Sequence, residues 1–435
     1  MHRMPPTGPK TAQILPNAIA SCLGNPDLPY NWSDKVRAVI LGICLARSTV
    51  LQDIARTREG PVKTAEKDLS EFLAYARLEL GESARRSAVQ VLRRIGLRRL
   101  LRYHGKIVLL TDSTSYAKAR SRGKQRRMPR IGRVRLQNVP SSETILVPGY
   151  NEFWTGLLLR DGRCLGVTRR LFTETMFSGL MSQNSLEEHE LLRAVELLRE
   201  AFGLGVIVVA DRGFRRKDLL EWLKKSLRVD FVIRLEGKLR VKTNGWVGLL
   251  QDLGPHWEQR LRRFWRDNDK DPLFSAIGGQ AVEVPLSGKT SLSFNVACLS
   301  PLNRTGMEPM FLATTLPVET AQQLSMVVEL YSARWTIETF FFSFKQSLRA
   351  GEFRVFSSWE AIDRLLTLAH IAFLVLSLIF ILAQKAQTGN WAALWRRVQD
   401  RRREWFARPP EWTLGEFFQI MALEFAEHRW GLGAR

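Results

Sequence analysis

No glycine or proline interrupts the chain from Glu319 to Ala350, so this stretch is committed to a long helix. Thr320 can cap its start, with acidic Glu319 beside it. A helix turns about 100° per residue. With Tyr331 set at zero, Arg334 falls at about −60°, Glu338 at about −20° and Lys345 at about −40°. These four side chains share one narrow front. Met326, Leu330, Ile337, Phe340, Phe341, Phe344 and Leu348 gather on the opposite side. An apolar back of this size must be buried, so the helix has to pack on another layer.

That layer is legible as a sheet. Ile107–Leu110 is a short apolar run that leads into Thr111-Asp112-Ser113-Thr114 and reads as a buried strand with a carboxylate at its exit. Val206–Ala210, VIVVA, is a second such run, ending in Asp211-Arg212-Gly213-Phe214. Glu152–Leu159 and Arg163–Leu171 read as a hairpin around Asp161-Gly162. Ser185–Phe202 and Lys217–Ser226 read as helices, and Phe231–Leu235 as a further strand. Asp230 and Glu236, which flank that strand, read as surface charges. The order of these elements predicts an α/β fold, a mixed sheet with helices on its faces.

The regions on either side differ. Residues 1–30 read as an irregular arm. Four helices are predicted next: Asp34–Ala46 capped by Ser33, a short one from Ser48 or Thr49 to Arg56, Pro61–Tyr75, and Glu82–Ile95. Their spacing is compatible with a helix-turn-helix or with a plain three-helix bundle. Lys118 to Arg135 carries nine lysines and arginines and no acid, the composition of a phosphate-binding loop or of a solvated charged one. Residues 237–310 read as a β-rich insertion, with strands at Ala281–Pro285 and Leu292–Cys298. Phe311–Leu316 returns to the sheet. The layout is therefore 1–101 helical, 102–236 and 311–388 core, 237–310 insertion, and 389–435 a tail rich in tryptophan and arginine.

Charge narrows the partner. The chain has 435 residues and a formal net charge of +22, which points to a polyanion, with nucleic acid the usual one. Four scattered cysteines predict no disulfide framework or zinc ribbon and suit a reducing cytoplasm. Six scattered histidines suggest no metal cluster. The first residues lack the apolar core of a signal peptide. Leu365–Ala383 has the length of a membrane span but contains His370, and reads as the core helix of a large domain.

Asp112, Asp211 and Glu338 belong together on chemical grounds. Phosphoryl transfer on DNA commonly uses two divalent ions held by a few carboxylates. Strand-end aspartates on adjacent strands, with a glutamate from a helix packed across them, can converge on one site. At these residues the sequence resembles the DDE transposases of bacterial insertion sequences. It is most similar to the branch marked Y-x2-R-x3-E-x6-K, which Tyr331, Arg334, Glu338 and Lys345 fit at every position. LLTDSTS around Asp112 and VVADRGF around Asp211 resemble the family's first and second aspartate regions.

The resemblance implies a ribonuclease H-like core with Asp112, Asp211 and Glu338 as catalytic metal ligands for Mg²⁺, or Mn²⁺ in its place. It implies cut-and-paste transposition, in which one strand is nicked, a hairpin forms and reopens, and the freed 3′-hydroxyl joins target DNA. Its partners would be terminal inverted repeats, target DNA and a second copy of the chain in a homodimer, on the cytoplasmic nucleoid and away from any membrane. Tyr331, Arg334 and Lys345 would contact DNA, and with them the 1–101 helices would bind the element ends. Arg212, beside Asp211, could contact phosphate or pair with a carboxylate. Trp246, Trp257 or Trp265 of the insertion could stack on a flipped base or fill a core. Trp335 and Phe342 are expected to fill the helix–sheet junction. The tryptophan-rich tail could bind DNA or a second protomer. Two other readings stay open: a metal-dependent endonuclease that joins no strands, and a non-catalytic DNA-binding protein.

Overall fold

The computed structural model describes residues 14–23, 30–75, 80–118, 128–135, 145–177, 182–256, 264–266, 272–286, 290–301, 309–386, 388, 392–396, 398–400 and 416–422. Most of the basic loop (119–127), Trp257, and the tail tryptophans Trp391, Trp405, Trp412 and Trp430 lie outside them.

Five helices come first: α1 (Ile14–Leu23), α2 (Tyr30–Ala46), α3 (Leu51–Arg56), α4 (Val62–Ala74) and α5 (Gly81–Ile95). The expected irregular arm thus contains a helix. Pro16 falls in its first turn, where a missing N–H is harmless, and Ile14, Leu15, Ala18, Ile19, Cys22 and Leu23 are buried. α2 begins before the expected Ser33 cap. Ser48 does not cap α3. Its hydroxyl accepts the Val50 N–H at 3.0 Å and donates to Asp53 at 2.8 Å, fixing the turn ahead of the helix.

The sheet follows. β1 (Arg102–Tyr103), β2 (Lys106–Ala117), β3 (Gly132–Arg135), β4 (Leu146–Leu158) and β5 (Cys164–Phe172) pair antiparallel. Gly162 turns between β4 and β5 at φ +79°, as the Asp-Gly pair predicted. α6 (Gln183–Phe202), β6 (Val206–Ala210), α7 (Lys217–Glu221) and β7 (Asp230–Leu235) come next. β6 lies parallel to both β2 and β7. β8 (Arg240–Thr243), β9 (Trp246–Leu249), β10 (Phe264–Arg266), β11 (Pro272–Pro285) and β12 (Ser291–Pro301) follow, then β13 (Met310–Thr314).

All these strands form one mixed sheet, ordered β3-β4-β2-β6-β7-β13-β12-β11-β8-β9 along its main path. β5 attaches to β4. The strands of 237–310 therefore extend the core sheet through β13 and do not build a separate one. Asp230 is likewise no free surface charge: it accepts from Thr315 Oγ1 at 2.8 Å and pairs with Lys106.

Three helices close the fold: α8 (Ala321–Ser332), α9 (Thr336–Ser347) and α10 (Trp359–Lys385). α10 is the apolar segment noted in the sequence, and 94% of its most apolar window is buried inside the protein. It packs against α2, α4, α5 and β5, so the N-terminal helices and the sheet share one core. Arg364 donates to the Leu73 carbonyl at 2.7 Å across that junction. The described tail residues also join this core. Trp395 lies against Phe380 (ring centroids 5.8 Å apart) and Phe418 against Phe373 (5.3 Å). The four cysteines are free.

Candidate active site

β2 and β6 set the height of two carboxylates. Their parallel pairing ends at Leu110 opposite Val209. Asp112 and Asp211 each stand two residues further on, on strands about 4.8 Å apart. Asp112 is not at a strand exit as expected. β2 continues to Ala117 because β4 still pairs with it, Asp112 facing Trp154. The chain leaves the sheet only on the β6 side. There Asp211 caps a single turn, accepting the Gly213 N–H at 2.7 Å. Asp112 accepts the Ser113 N–H at 2.8 Å.

The third carboxylate arrives on the helix that the sequence announced. Thr320 caps α8 through a reciprocal capping box with Gln323. The helix does not run through evenly. A 3-10 turn, Ala333–Trp335, separates α8 from α9. Such a turn advances about 120° per residue, so the front calculated at 100° per residue shifts there. Tyr331 and Arg334 are both buried.

Arg334 occupies the centre. Its Nη1 donates to Asp112 Oδ2 at 2.6 Å and its Nη2 to Glu338 Oε1 at 3.3 Å. The guanidinium lies 4.8 Å from the Trp335 ring. Burial pushes the Asp112 carboxyl up to about 7, against the pull of Arg334 and with the help of the nearby Asp211 and Glu338 charges. Burial works against the Arg334 charge, but Asp112, Tyr331 and Glu338 outweigh it and raise its pKa. Tyr331 is raised by burial, opposed by Arg334 and Arg234.

Lys345 points at β2. It donates to Thr114 Oγ1 at 2.6 Å and to the Ser115 carbonyl at 2.8 Å, and sits 5.2 Å from the Tyr116 ring. Burial lowers its ammonium to about 8. Two of its three donors are spent inside the protein, leaving one. Arg212 is exposed on the turn after Asp211. The structure thus brings Asp112, Asp211, Tyr331, Arg334 and Glu338 together, with Lys345 further along β2.

Trp335 and Phe342 correct an expectation. They do not fill the helix–sheet junction but are 50% and 61% exposed, flanking the half-exposed Glu338 on the outer face. The junction is filled from the other side of α9. Trp154 meets Phe340 at 5.0 Å, Phe344 at 5.2 Å and His370 at 4.9 Å. Gly166 admits this contact, since a Cβ there would come within 2.3 Å of the Phe340 ring.

Sequence reasoning missed the polar layer beneath. Arg234, a cation inside the apolar strand β7, stands near enough to Tyr331 to oppose the rise of its pKa. Its place in FVIRL was the available signal. Glu152 is fully buried and accepts from Tyr116, from Trp154 Nε1 at 2.6 Å and from Arg169. Arg169 continues to Asp363 at 3.0 Å and Thr367 at 2.9 Å.

Among the described residues, no three histidine, cysteine or acidic side chains stand close enough together to hold a metal ion. The donor chemistry of Asp112, Asp211 and Glu338 nevertheless suits a hard divalent cation, which takes carboxylate oxygens. Here the guanidinium of Arg334 serves as the cation between two of them.

Residues 180–374 match the family model of the transposase DDE domain. That span contains Asp211, Tyr331, Arg334, Glu338 and Lys345 but begins after Asp112. The match makes this span similar to a transposase DDE domain and covers less than half of the chain. No curated protein matches the chain.

Proposed function

We propose that this chain is a cut-and-paste DNA transposase with Asp112, Asp211 and Glu338 as its catalytic centre. The observation that carries this reading is the common height of Asp112 and Asp211 on adjacent parallel strands, with Glu338 joined to Asp112 through one guanidinium. The strand order β5-β4-β2-β6-β7, an antiparallel run meeting a parallel one, supports a ribonuclease H-like core. The net charge of +22 supports a nucleic-acid partner.

Asp112, Asp211 and Glu338 would hold Mg²⁺, or Mn²⁺ in its place. When bound, the metal supplies activation of the attacking oxygen and charge stabilisation at the leaving oxygen. The side chains around it hold the DNA. Arg334 offers a planar fork to a phosphate, and Lys345 a point charge on its remaining donor. Tyr331 joins Arg334 at the phosphates near the cleaved end, and the exposed Arg212 reaches the backbone from the strand-end turn. Trp335 and Phe342 present ring faces on which unstacked bases can lie.

In this reading water cuts one strand at the element end. The freed 3′-hydroxyl attacks the opposite strand and closes a hairpin, which water reopens. The same hydroxyl then joins target DNA. Each step is an in-line displacement at phosphorus, so one site serves them all. Helices α2 to α4 take the terminal repeats, and two copies of the chain bring two ends together.

The deciding experiment incubates the protein with Mg²⁺ and DNA carrying the terminal sequences that flank its own gene. Hairpin and joined products are expected. Nicked or cut ends with no joining would make it an endonuclease, and binding without cleavage a DNA-binding protein only.

A further inference from the structure

This inference rests on the reading of Asp112, Asp211 and Glu338 as the metal ligands. Arg334 is anchored more deeply than a phosphate-gripping arginine needs to be. Its side chain is 7% exposed, against 17% for Asp112 and 46% for Glu338. Its short contact, 2.6 Å, is the inner one to Asp112, and its long contact, 3.3 Å, is the outer one to Glu338. Its Nε is buried without a hydrogen-bond partner among the described residues. The guanidinium is thus firmly held by the carboxylates, yet one of its donors is unsatisfied.

We propose that Arg334 is the internal counter-ion of the carboxylate cluster, and that it must release Asp112 before a divalent cation can bind. The lone pairs of Asp112 Oδ2 that a cation would ligate at about 2.1 Å are those that Arg334 now engages. Two cations on one carboxylate oxygen repel each other, so each weakens the other's hold. Without a cation, the charges of Asp211 and Glu338 act against that of Asp112, and Arg334 relieves this. A DNA phosphate is the group that can draw it away. It arrives from the exposed Glu338 side, meets the weaker bond first, and offers the fork two acceptors. Trp335, stacked 4.8 Å from the guanidinium, gives that movement a surface to slide on. Metal and DNA end are then taken up cooperatively, and the coupling is reciprocal. The protein on its own remains weakly metallated, which restrains cleavage away from an element end.

The test counts free Mn²⁺ by electron paramagnetic resonance over the full-length chain, with and without a duplex carrying the element's terminal sequence. Wild type is expected to bind Mn²⁺ at least about tenfold more tightly when the duplex is present. Arg334→Gln is expected to bind Mn²⁺ at least about tenfold more tightly than wild type without duplex, and to gain little from it. Equal Mn²⁺ affinity of wild type with and without duplex overturns the proposal, and that comparison needs no variant to fold. So does an Arg334→Gln protein, folded by circular dichroism, that binds no tighter than wild type. Asp112→Asn separates the premise from the inference. If it leaves Mn²⁺ binding unchanged, the ligand assignment itself fails. If it removes binding while Arg334→Gln changes nothing, only the counter-ion role fails.

Discussion

Asp112 and Asp211 each lie two residues past the last paired residues, Leu110 and Val209, of adjacent parallel strands. Their carboxylates therefore leave the sheet at one height, and the fold alone sets their spacing. Asp112→Ala, Asp211→Ala or Glu338→Ala should lower Mg²⁺-dependent cleavage by about a thousandfold or more, while end binding in a mobility-shift assay stays near wild type. Full cleavage by any of the three would remove that residue from the centre.

The same placement makes Asp112 a source of instability. Its pKa rises from an ordinary 3.8 to about 7 because burial penalises the charge. A raised carboxyl favours the folded state fully below about pH 4, and that contribution is lost as pH climbs through 7. Asp112→Asn, which is neutral at every pH, should leave the thermal midpoint almost unchanged near pH 4 and raise it at pH 8. Unfolding scans at the two pH values check this. A midpoint lowered at pH 8 would mean that the bond from Arg334 outweighs burial.

How much of this was readable in the sequence follows from how local each cause is. VIVVA, the capping box at Thr320 and the Asp-Gly turn are set by neighbouring residues, and the strand, cap and turn formed as expected. Asp112 was misplaced because the continuation of β2 depends on β4, which is distant in sequence. An even helix carries Tyr331 to Lys345 on one front, and the turn at Ala333–Trp335 interrupts that regularity. Residue type alone places Trp335 and Phe342 at the junction, but Phe340 and Phe344 already fill it.

Lys345 separates a structural from a DNA-contacting role. Its ammonium is tied to Thr114 and Ser115, with one donor to spare. If that donor meets a phosphate, Lys345→Ala should weaken end binding and flatten the slope of log affinity against log salt by about one unit. Burial lowers this ammonium to about 8, so it is charged below that pH and neutral above it. Without DNA to hold the proton, the lysine's attraction for a phosphate fades as pH rises through 8. An unchanged salt slope at pH 7 would confine Lys345 to bracing β2.

The buried pair Glu152–Arg169 should dominate the stability of the sheet around β4 and β5. Glu152 is fully buried and Arg169 is 4% exposed. Removing one partner strands the other charge away from water, so Arg169→Met should cost about 3–5 kcal/mol in denaturant unfolding. Adding Glu152→Gln removes the stranded charge and should recover much of the loss. If the double variant is no more stable than the single one, the loss comes from packing against Asp363 and Thr367 rather than from charge.

Gly166 offers a way to move Glu338 without touching it. A methyl group there would sit 2.3 Å from the Phe340 ring and 2.8 Å from the Trp154 ring. Neither ring can yield easily, since both are buried against Phe344, Phe373 and His370. Gly166→Ala should therefore push α9 away from β5, at a cost of about 1–3 kcal/mol. Phe340 is two residues from Glu338 on α9, so the displacement carries to the carboxylate. Cleavage should fall more than end binding does, because binding draws on the whole basic surface while metal ligation depends on sub-ångström placement. Phe340→Leu in the same chain makes room for the methyl group and should restore part of the activity. An alanine variant that is destabilised but cleaves at the wild-type rate would show that α9 is held in place from elsewhere, with Arg334 the remaining link between Glu338 and the sheet.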